Sequence, residues 1–295
     1  MRHGCEAFVV VGKADTGSRV MSLGVRNGSG GLEVHADGEK QGSAVALAEA
    51  LPLQVIDPDV HELVAGGPEM RRRYIDWIAF HVEHPFLEQW RRFRRALKQR
   101  NAALRDGASR KSLASWDREL GELGGSVDAT RRRMVELVGP VLAAFGAELL
   151  GSRVVLDYRQ GWPADVSLSD ALAGSAERDL QLASTQYGPH RADLVLSYDE
   201  RRARKLVSRG QQKLLACALI LAATAVVKTK LGKPLTLLLD DPAAELDGDA
   251  VGRLMSAVEG LGCQVIATTL DPGKALFSSP PTMFHVEHGV VRAVA

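Results

Sequence analysis

An apolar strand that ends in two adjacent carboxylates constrains this chain more than any other feature. Leu235-Thr236-Leu237-Leu238-Leu239 runs directly into Asp240-Asp241. A short apolar run of this kind reads as a strand buried on both faces of a parallel sheet. Two carboxylates at its end are costly unless they bind something. Strand alternation sends them in different directions, Asp240 toward a divalent cation such as Mg²⁺ and Asp241 toward a water molecule. Upstream, Ser208-Arg209-Gly210-Gln211-Gln212 opens an apolar helix that reads from Gln211 to Lys230. Ser208 suits a helix N-cap, and Gly210 lets backbone approach a phosphate. Such a turn holds an anion through free N–H groups and the positive helix end, although by itself it reads as an ordinary cap. Downstream, Glu245 to Asp247 form an acidic turn that also suits a helix start, and Ala267-Thr268-Thr269 closes a second parallel strand at the edge where open α/β sheets bind ligands.

A site of this type pairs with a phosphate loop, G-x-x-x-x-G-K-[ST], and the 295 residues contain none. The nearest stretch is Gly24 to Leu32. Aligned on Gly30, it puts Val25 at the first glycine, Gly31 at the lysine and Leu32 at the hydroxyl. Without the lysine there is no point charge for the β- and γ-phosphates. The flanking Val20-Met21-Ser22-Leu23 and Leu32-Glu33-Val34-His35 read as strands, so the glycines are expected to make a hairpin turn.

The rest of the chain reads as an α/β head interrupted by helices. Residues 7 to 56 alternate as short strands, and Asp57-Pro58-Asp59 breaks the pattern. From about Val60 to Leu150 the pattern is helical, with long helices over Pro85–Arg105 and Trp116–Leu150, the second expected to break near Gly124-Gly125 and Pro140. A helix over Ser167–Gln186, a strand over Leu194–Tyr198 with a turn at Asp199–Arg202, and a closing hairpin from Met283 follow. The expected division is 1–59, a strand-rich remainder of an N-terminal lobe; 60–185, a helical arm; and 186–295, a C-terminal lobe. Cys5, Cys217 and Cys263 are far apart, with no zinc spacing, and point to a reducing compartment. No signal peptide is read at Met1, and the apolar run Leu214–Val227 is short for a bilayer.

The net charge of +1 hides an asymmetry: residues 71–133 carry 16 Lys/Arg against 8 Asp/Glu, so the remainder is acidic. On a helix, Arg91, Arg94, Arg95, Lys98 and Arg105 fall on one stripe, while Phe86, Trp90, Phe93, Leu97 and Leu104 fall on another side. A one-sign stripe reads either as a solvated face or as a contact for nucleic-acid phosphates. His81-Val82-Glu83-His84 and His285-Val286-Glu287-His288 are identical tetrapeptides. In a strand the second sends its histidines to opposite faces, which does not make a metal site. Gly188-Pro189-His190-Arg191-Ala192-Asp193 reads either as a turn with an internal salt bridge or as a loop that turns Arg191 toward the site.

With these residues in view, the chain resembles the RecF family, bacterial replication and repair ATPases of the SMC-like branch of ATP-binding cassettes. The resemblance runs through Gln54–Pro58, Gly66–Trp77, Leu97–Leu104, Gly188–Asp193, Ser208–Lys213, Leu239–Asp247 and Met283–Glu287. It implies an ABC-type head, incomplete at its N-terminus, with an inserted helical arm. It implies that Ser208, Arg209, Gly210 and Gln211 are the signature motif, Asp240 and Asp241 the Walker B pair, and Glu245 to Asp247 the D-loop. Gln54 would be the Q-loop residue and a Mg²⁺ ligand, and Thr269 would take the switch position. It further implies ATP and Mg²⁺ bound between head-to-tail protomers, slow DNA-stimulated hydrolysis, and an ATP-dependent homodimer on DNA at single-strand/double-strand junctions. The implied setting is the cytoplasm beside the nucleoid, in recombinational repair and the SOS response, with RecR and RecO as partners that support RecA loading. The sequence departs from the family in two places. The opening strand, phosphate loop and following helix are missing, so a truncated form is expected, and Gly248-Asp249-Ala250 follows the D-loop where the family tends to place a basic residue. A DNA- or RecR-binding fragment that does not bind nucleotide is the alternative. A transporter ATPase is disfavoured by the arginine-rich arm and the absent switch histidine.

Overall fold

A computed structural model describes residues 5–15, 17, 19–199, 201–202, 208–233, 235–270 and 276–294, with backbone alone for 201–202. It opens on an antiparallel meander of β1 (Ala7–Asp15), β2 (Val20–Gly28), β3 (Gly31–Ala36) and β4 (Glu39–Gln41). Gly28 pairs with Gly31, so Ser29-Gly30 is a hairpin turn and the glycine-rich stretch cradles nothing. A short helix α1 (Val45–Ala50) leads to β5 (Leu53–Ile56).

Helices then dominate: α2 (Glu62–Ala65), α3 (Pro68–Val82), α4 (Phe86–Arg105) and α5 (Arg110–Leu150). The expected break in α5 does not occur; the helix is continuous for 41 residues. Its glycines serve close packing instead of termination. A Cβ on Gly124 would stand 2.4 Å from Leu168 Cδ2, and one on Gly121 would stand 2.0 Å from Ser169 Oγ. Pro140 removes one helical N–H, and the Glu136 carbonyl it would have met lies on an exposed stretch where water can take its place. Ser109 caps the start of α5 by accepting from the Ser112 N–H at 3.2 Å, and Gly151 ends the helix in the left-handed region.

β6 (Val154–Arg159), α6 (Leu168–Leu182), β7 (Asp193–Tyr198) and β8 (Arg201–Arg202) come next, the three strands forming an antiparallel sheet. The turn expected at Asp199–Arg202 falls partly outside the described residues, and Arg201–Arg202 continue as a strand paired with Ser197–Tyr198. The apolar helix α7 (Arg209–Leu231) is long and apolar enough to cross a membrane, yet its apolar window is largely inside the core. The Tyr74 hydroxyl donates to the Leu219 carbonyl at 3.0 Å there, and burial pushes its pKa far up. β9 (Thr236–Asp240), α8 (Gly248–Gly260), β10 (Gln264–Thr268) and a hairpin of β11 (Phe284–Glu287) and β12 (Val290–Ala293) complete the order.

The parallel sheet has the order β10-β9-β5. Residues from both ends of the chain therefore build one sheet, with the helical segment inserted between β5 and β9. Inside that segment Arg100 is fully buried, bonded to Asp179 at 2.7 Å and Asp117 at 2.9 Å. This pins α4, α5 and α6 together. Burial raises the Asp117 carboxyl above its ordinary range, against the pull of Arg100.

Candidate functional site

The carboxyl edge of the parallel sheet gathers Asp240, Asp241 and Thr268. Thr268 is the register partner of Asp240, and its hydroxyl donates to Asp240 Oδ1 at 2.5 Å. The same hydroxyl accepts from the Asp241 N–H at 3.1 Å. Asp241 turns the chain with φ 45, a left-handed conformation that Asp tolerates better than most side chains. Thr269 follows Thr268 and is exposed. Thr268 makes both bonds at this edge. The sequence places it there, but the two threonines differ only in which one is register-paired, and that is visible only in the sheet.

Gln54 stands opposite Leu237, three residues before the level of Asp240. At about 3.3 Å per residue that is roughly 10 Å short of the edge. Ile56, the last residue of β5, pairs with Leu239, and Asp57 follows it just beyond the strand, nearer than Gln54 to the level of Asp240. Asp57 is exposed, and its side chain makes no capping bond to the 3₁₀ turn it precedes. In the sequence, Asp57 reads only as a strand breaker. Only Oδ1 of Asp240 is engaged by Thr268, and Asp240 and Asp57, both exposed, offer hard oxygen donors at this end of the sheet. Mg²⁺ takes one or two carboxylates and keeps waters, so these residues fit it. No larger cluster of metal-binding side chains occurs among the described residues.

The signature turn is built as a reciprocal cap. Ser208 Oγ accepts from the Gln211 N–H at 3.3 Å, and Gln211 Oε1 accepts from the Ser208 N–H at 3.0 Å. The acidic turn packs on it. A Cβ on Gly210 would lie 3.4 Å from the Glu245 carbonyl oxygen. Arg209 and Glu245 pair at 3.6 Å in exposed positions, a contact worth under about 1 kcal/mol. Lys213, fully buried, donates from Nζ to the Ala244 carbonyl at 2.6 Å. Burial pushes the neighbouring Cys217 thiol up to about 12. Asp247 caps α8 by accepting from the Ala250 N–H at 2.8 Å. Lys213 was not singled out in the sequence; a lysine one turn inside an apolar helix is its only signal.

On α4, Arg91, Arg94, Arg95, Lys98 and Arg105 are all exposed, while Phe86, Phe93 and Leu104 are buried. Arg94 stacks over Trp90, 4.9 Å from the ring centroid. None of the five pairs with a carboxylate among the described residues. His81 lies inside, 4.7 Å from Trp77 and 4.8 Å from Phe80, and burial lowers its pKa to about 4. His285 and His288 are exposed on the last hairpin.

No protein-family model matches the chain. It is 40% identical over 293 residues to the DNA replication and repair protein RecF of Thioalkalivibrio sulfidiphilus (strain HL-EbGR7), covering 98% of this chain and 81% of that protein. The chain belongs to the RecF family. The RecF protein of Pseudomonas aeruginosa (strain LESB58) is 41% identical over 277 residues, covering 92% of this chain and 75% of that one. In these relatives the matched part is the C-terminal portion. A solved RecF–ATP structure, of a recombination mediator in the RecFOR pathway, superposes with TM-score 0.85 at 22% identity, covering 99% of this chain and 81% of that one. An Smc head bound to the C-terminal winged-helix domain of ScpA reaches TM-score 0.55 at 15% identity, covering 98% of this chain and 74% of that one. These likenesses bear on the fold, an ABC-type head of the RecF and SMC kind.

Proposed function

We propose that this RecF-family chain acts in DNA replication and repair as an ATP-responsive DNA-binding head. Its signature turn would meet a nucleotide whose phosphates are held by a second protomer, and its arm would bind duplex DNA. The observation that carries the reading is the union of the signature turn with the D-loop through Gly210, Arg209 and Lys213. The free N–H groups at the start of α7 and its positive end favour a γ-phosphate, and Gly210 leaves room for it. Asp241 polarises the attacking water. Asp240 would hold Mg²⁺, together with Gln54, as the resemblance implies, or with Asp57, which follows β5 nearer to its level. Mg²⁺, when bound, neutralises phosphate charge. Thr269 occupies the switch position beside this edge, and Asp247 keeps α8 in place at the end of the D-loop.

The proposed division remains 1–59, 60–185 and 186–295, supported by the pairing of β5 with β9 across the insertion. The proposed partners are DNA at single-strand/double-strand junctions, an ATP-dependent second copy, and RecR and RecO in support of RecA. The proposed setting is the cytoplasm beside the nucleoid. A second reading, DNA or RecR binding without nucleotide, is favoured by the lack of a G-x-x-x-x-G-K-[ST] among the 295 residues. Micromolar Mg-ATP binding by the chain as it stands, measured by calorimetry, overturns that second reading.

The test of the first reading uses the chain joined to the phosphate-loop segment of a RecF relative. Ser208→Arg places a bulky cation at the signature turn; it blocks ATP-driven dimerisation and leaves ATP affinity near the unsubstituted value. Asp241→Asn slows hydrolysis and lets ATP dimers accumulate in light scattering. If Ser208→Arg loses ATP binding and dimerisation together, or Asp241→Asn hydrolyses normally, the assignment fails.

A further inference from the structure

An arginine-bearing helix start and an arginine-bearing turn meet at the root of the arm. One is Gly66–Arg73, which opens α3, and the other is Gly188–Asp193, which precedes β7. Gly188 has φ 136, and Gly161 backs onto it so closely that a Cβ there would lie 2.5 Å from the Gly188 carbonyl oxygen. Gly161 allows that approach by having no Cβ, and Gly188 is needed for its backbone conformation.

Four carboxylates at this junction each already hold an arginine. Asp193 is gripped by Arg71 at 2.8 and 3.2 Å, and Asp76 by Arg131 at 2.8 and 2.9 Å. Asp128 holds Arg132 at 2.8 Å, and Glu69 holds Arg73 at 2.6 Å. Two guanidiniums are left over. Arg72 donates to the Ala192 carbonyl at 2.8 Å, and Arg191 donates weakly to the Thr185 carbonyl at 3.4 Å. Neither pairs with a carboxylate among the described residues. Burial, followed by the charge of Arg131, holds the half-buried Arg72 guanidinium below its ordinary pKa, although Asp193, Glu69 and Asp76 pull the other way. An anion relieves such a cation, and a phosphate oxygen pair suits the guanidinium fork.

Position identifies the anion. Thr185, which receives Arg191, is bonded through its N–H and hydroxyl to Asn101 Oδ1 at 2.9 and 2.7 Å. Asn101 lies on α4 between Lys98 and Arg105, on the flank of the basic stripe. A polyanion tracking that stripe would therefore meet Arg191, and then Arg72 behind it. We infer that Arg72 and Arg191 form a phosphate-binding pair that continues the α4 stripe onto the head, with a phosphodiester of duplex DNA as ligand. This rests on the DNA reading of α4 proposed above.

The experiment is fluorescence anisotropy of this chain on labelled duplex DNA across a salt series. Arg191→Gln and Arg72→Gln each lower the magnitude of the log K against log salt slope by about 0.9, one phosphate contact apiece. Arg191→Lys, which keeps the charge, retains the slope. Arg73→Gln removes a charge from the same turn but leaves the pair, and it also retains the slope. Arg191 is exposed, so its variants carry the test if Arg72→Gln unfolds. An unchanged slope in Arg191→Gln, with Arg94→Gln losing its share, overturns the pair and leaves the α4 reading standing. If the unsubstituted chain does not bind duplex, both fall. An equal loss in Arg73→Gln means a diffuse field and overturns the pair. Millimolar ATP shifts duplex affinity by the same factor in the unsubstituted chain and in Arg191→Gln; a shift that is lost in Arg191→Gln would make the pair a nucleotide site and overturn the proposal.

Discussion

The carboxyl-edge site and the outer face of α4 treat their polar groups in opposite ways. At the edge, most polar side chains already have partners within the chain: Ser208 with Gln211, Asp247 with Ala250, Asp240 with Thr268, and Lys213 with Ala244. On the outer face of α4, Arg91, Arg94, Arg95, Lys98 and Arg105 are exposed and pair with no carboxylate among the described residues. The first arrangement is preorganised by bonds within the chain. The second is ready to exchange counter-ions for a polyanion at once. The inner side of α4 sharpens the contrast, because Arg100 there is buried and paired, and serves the fold.

If that contrast is right, substitutions on the two sides of α4 must separate stability from binding. The largest expected loss of stability is at Arg100→Met, which strands Asp117 and Asp179 without their counter-charge and costs about 3–5 kcal/mol in urea unfolding. A loss under about 1 kcal/mol would mean that the inner arginine is no more structural than the outer ones.

The next effect is in pH. Burial, then the nearby Lys233 charge, lowers His81 from 6.5 to about 4, and His190 is lowered to about 4 mainly by burial. Between pH 4 and 6.5 the unfolded chain binds the extra protons, so the stability present above pH 6.5 is lost as pH falls toward 4. Tm should drop on acidification through this window, and less in His81→Leu. No drop would mean that these histidines are charged in the fold.

The smallest effect is at the edge site. Ser208→Ala removes one side of the reciprocal cap and costs about 1 kcal/mol. No change in stability would mean that the turn is not preorganised by its own side chains.

Much of this was legible because it depends on local chemistry. The two strand-end aspartates, the Ser208 cap, the Gly28–Gly31 hairpin and the amphipathic pattern of α4 each follow from neighbouring residues. What was not legible depends on tertiary registration. Gly124 and Pro140 look like helix breakers until Leu168 is seen against the glycine and solvent beside the proline. Gln54 and Asp57 are three residues apart, and only the pairing of β5 with β9 decides which is nearer the level of Asp240. The ion pair of Arg71 with Asp193 spans 122 residues, beyond the reach of any local pattern.

On the proposed reading, the exposed α4 cations bind DNA phosphates while contributing little to the fold. Duplex affinity across a salt series tests it most directly, comparing the unsubstituted chain with an Arg91→Glu, Arg94→Glu, Arg95→Glu variant. The account predicts a slope of at least about −3.6 for the unsubstituted chain, four phosphate contacts, and loss of binding in the variant with an unchanged Tm. Equal affinity in the two proteins would contradict it and make the stripe a solvated face.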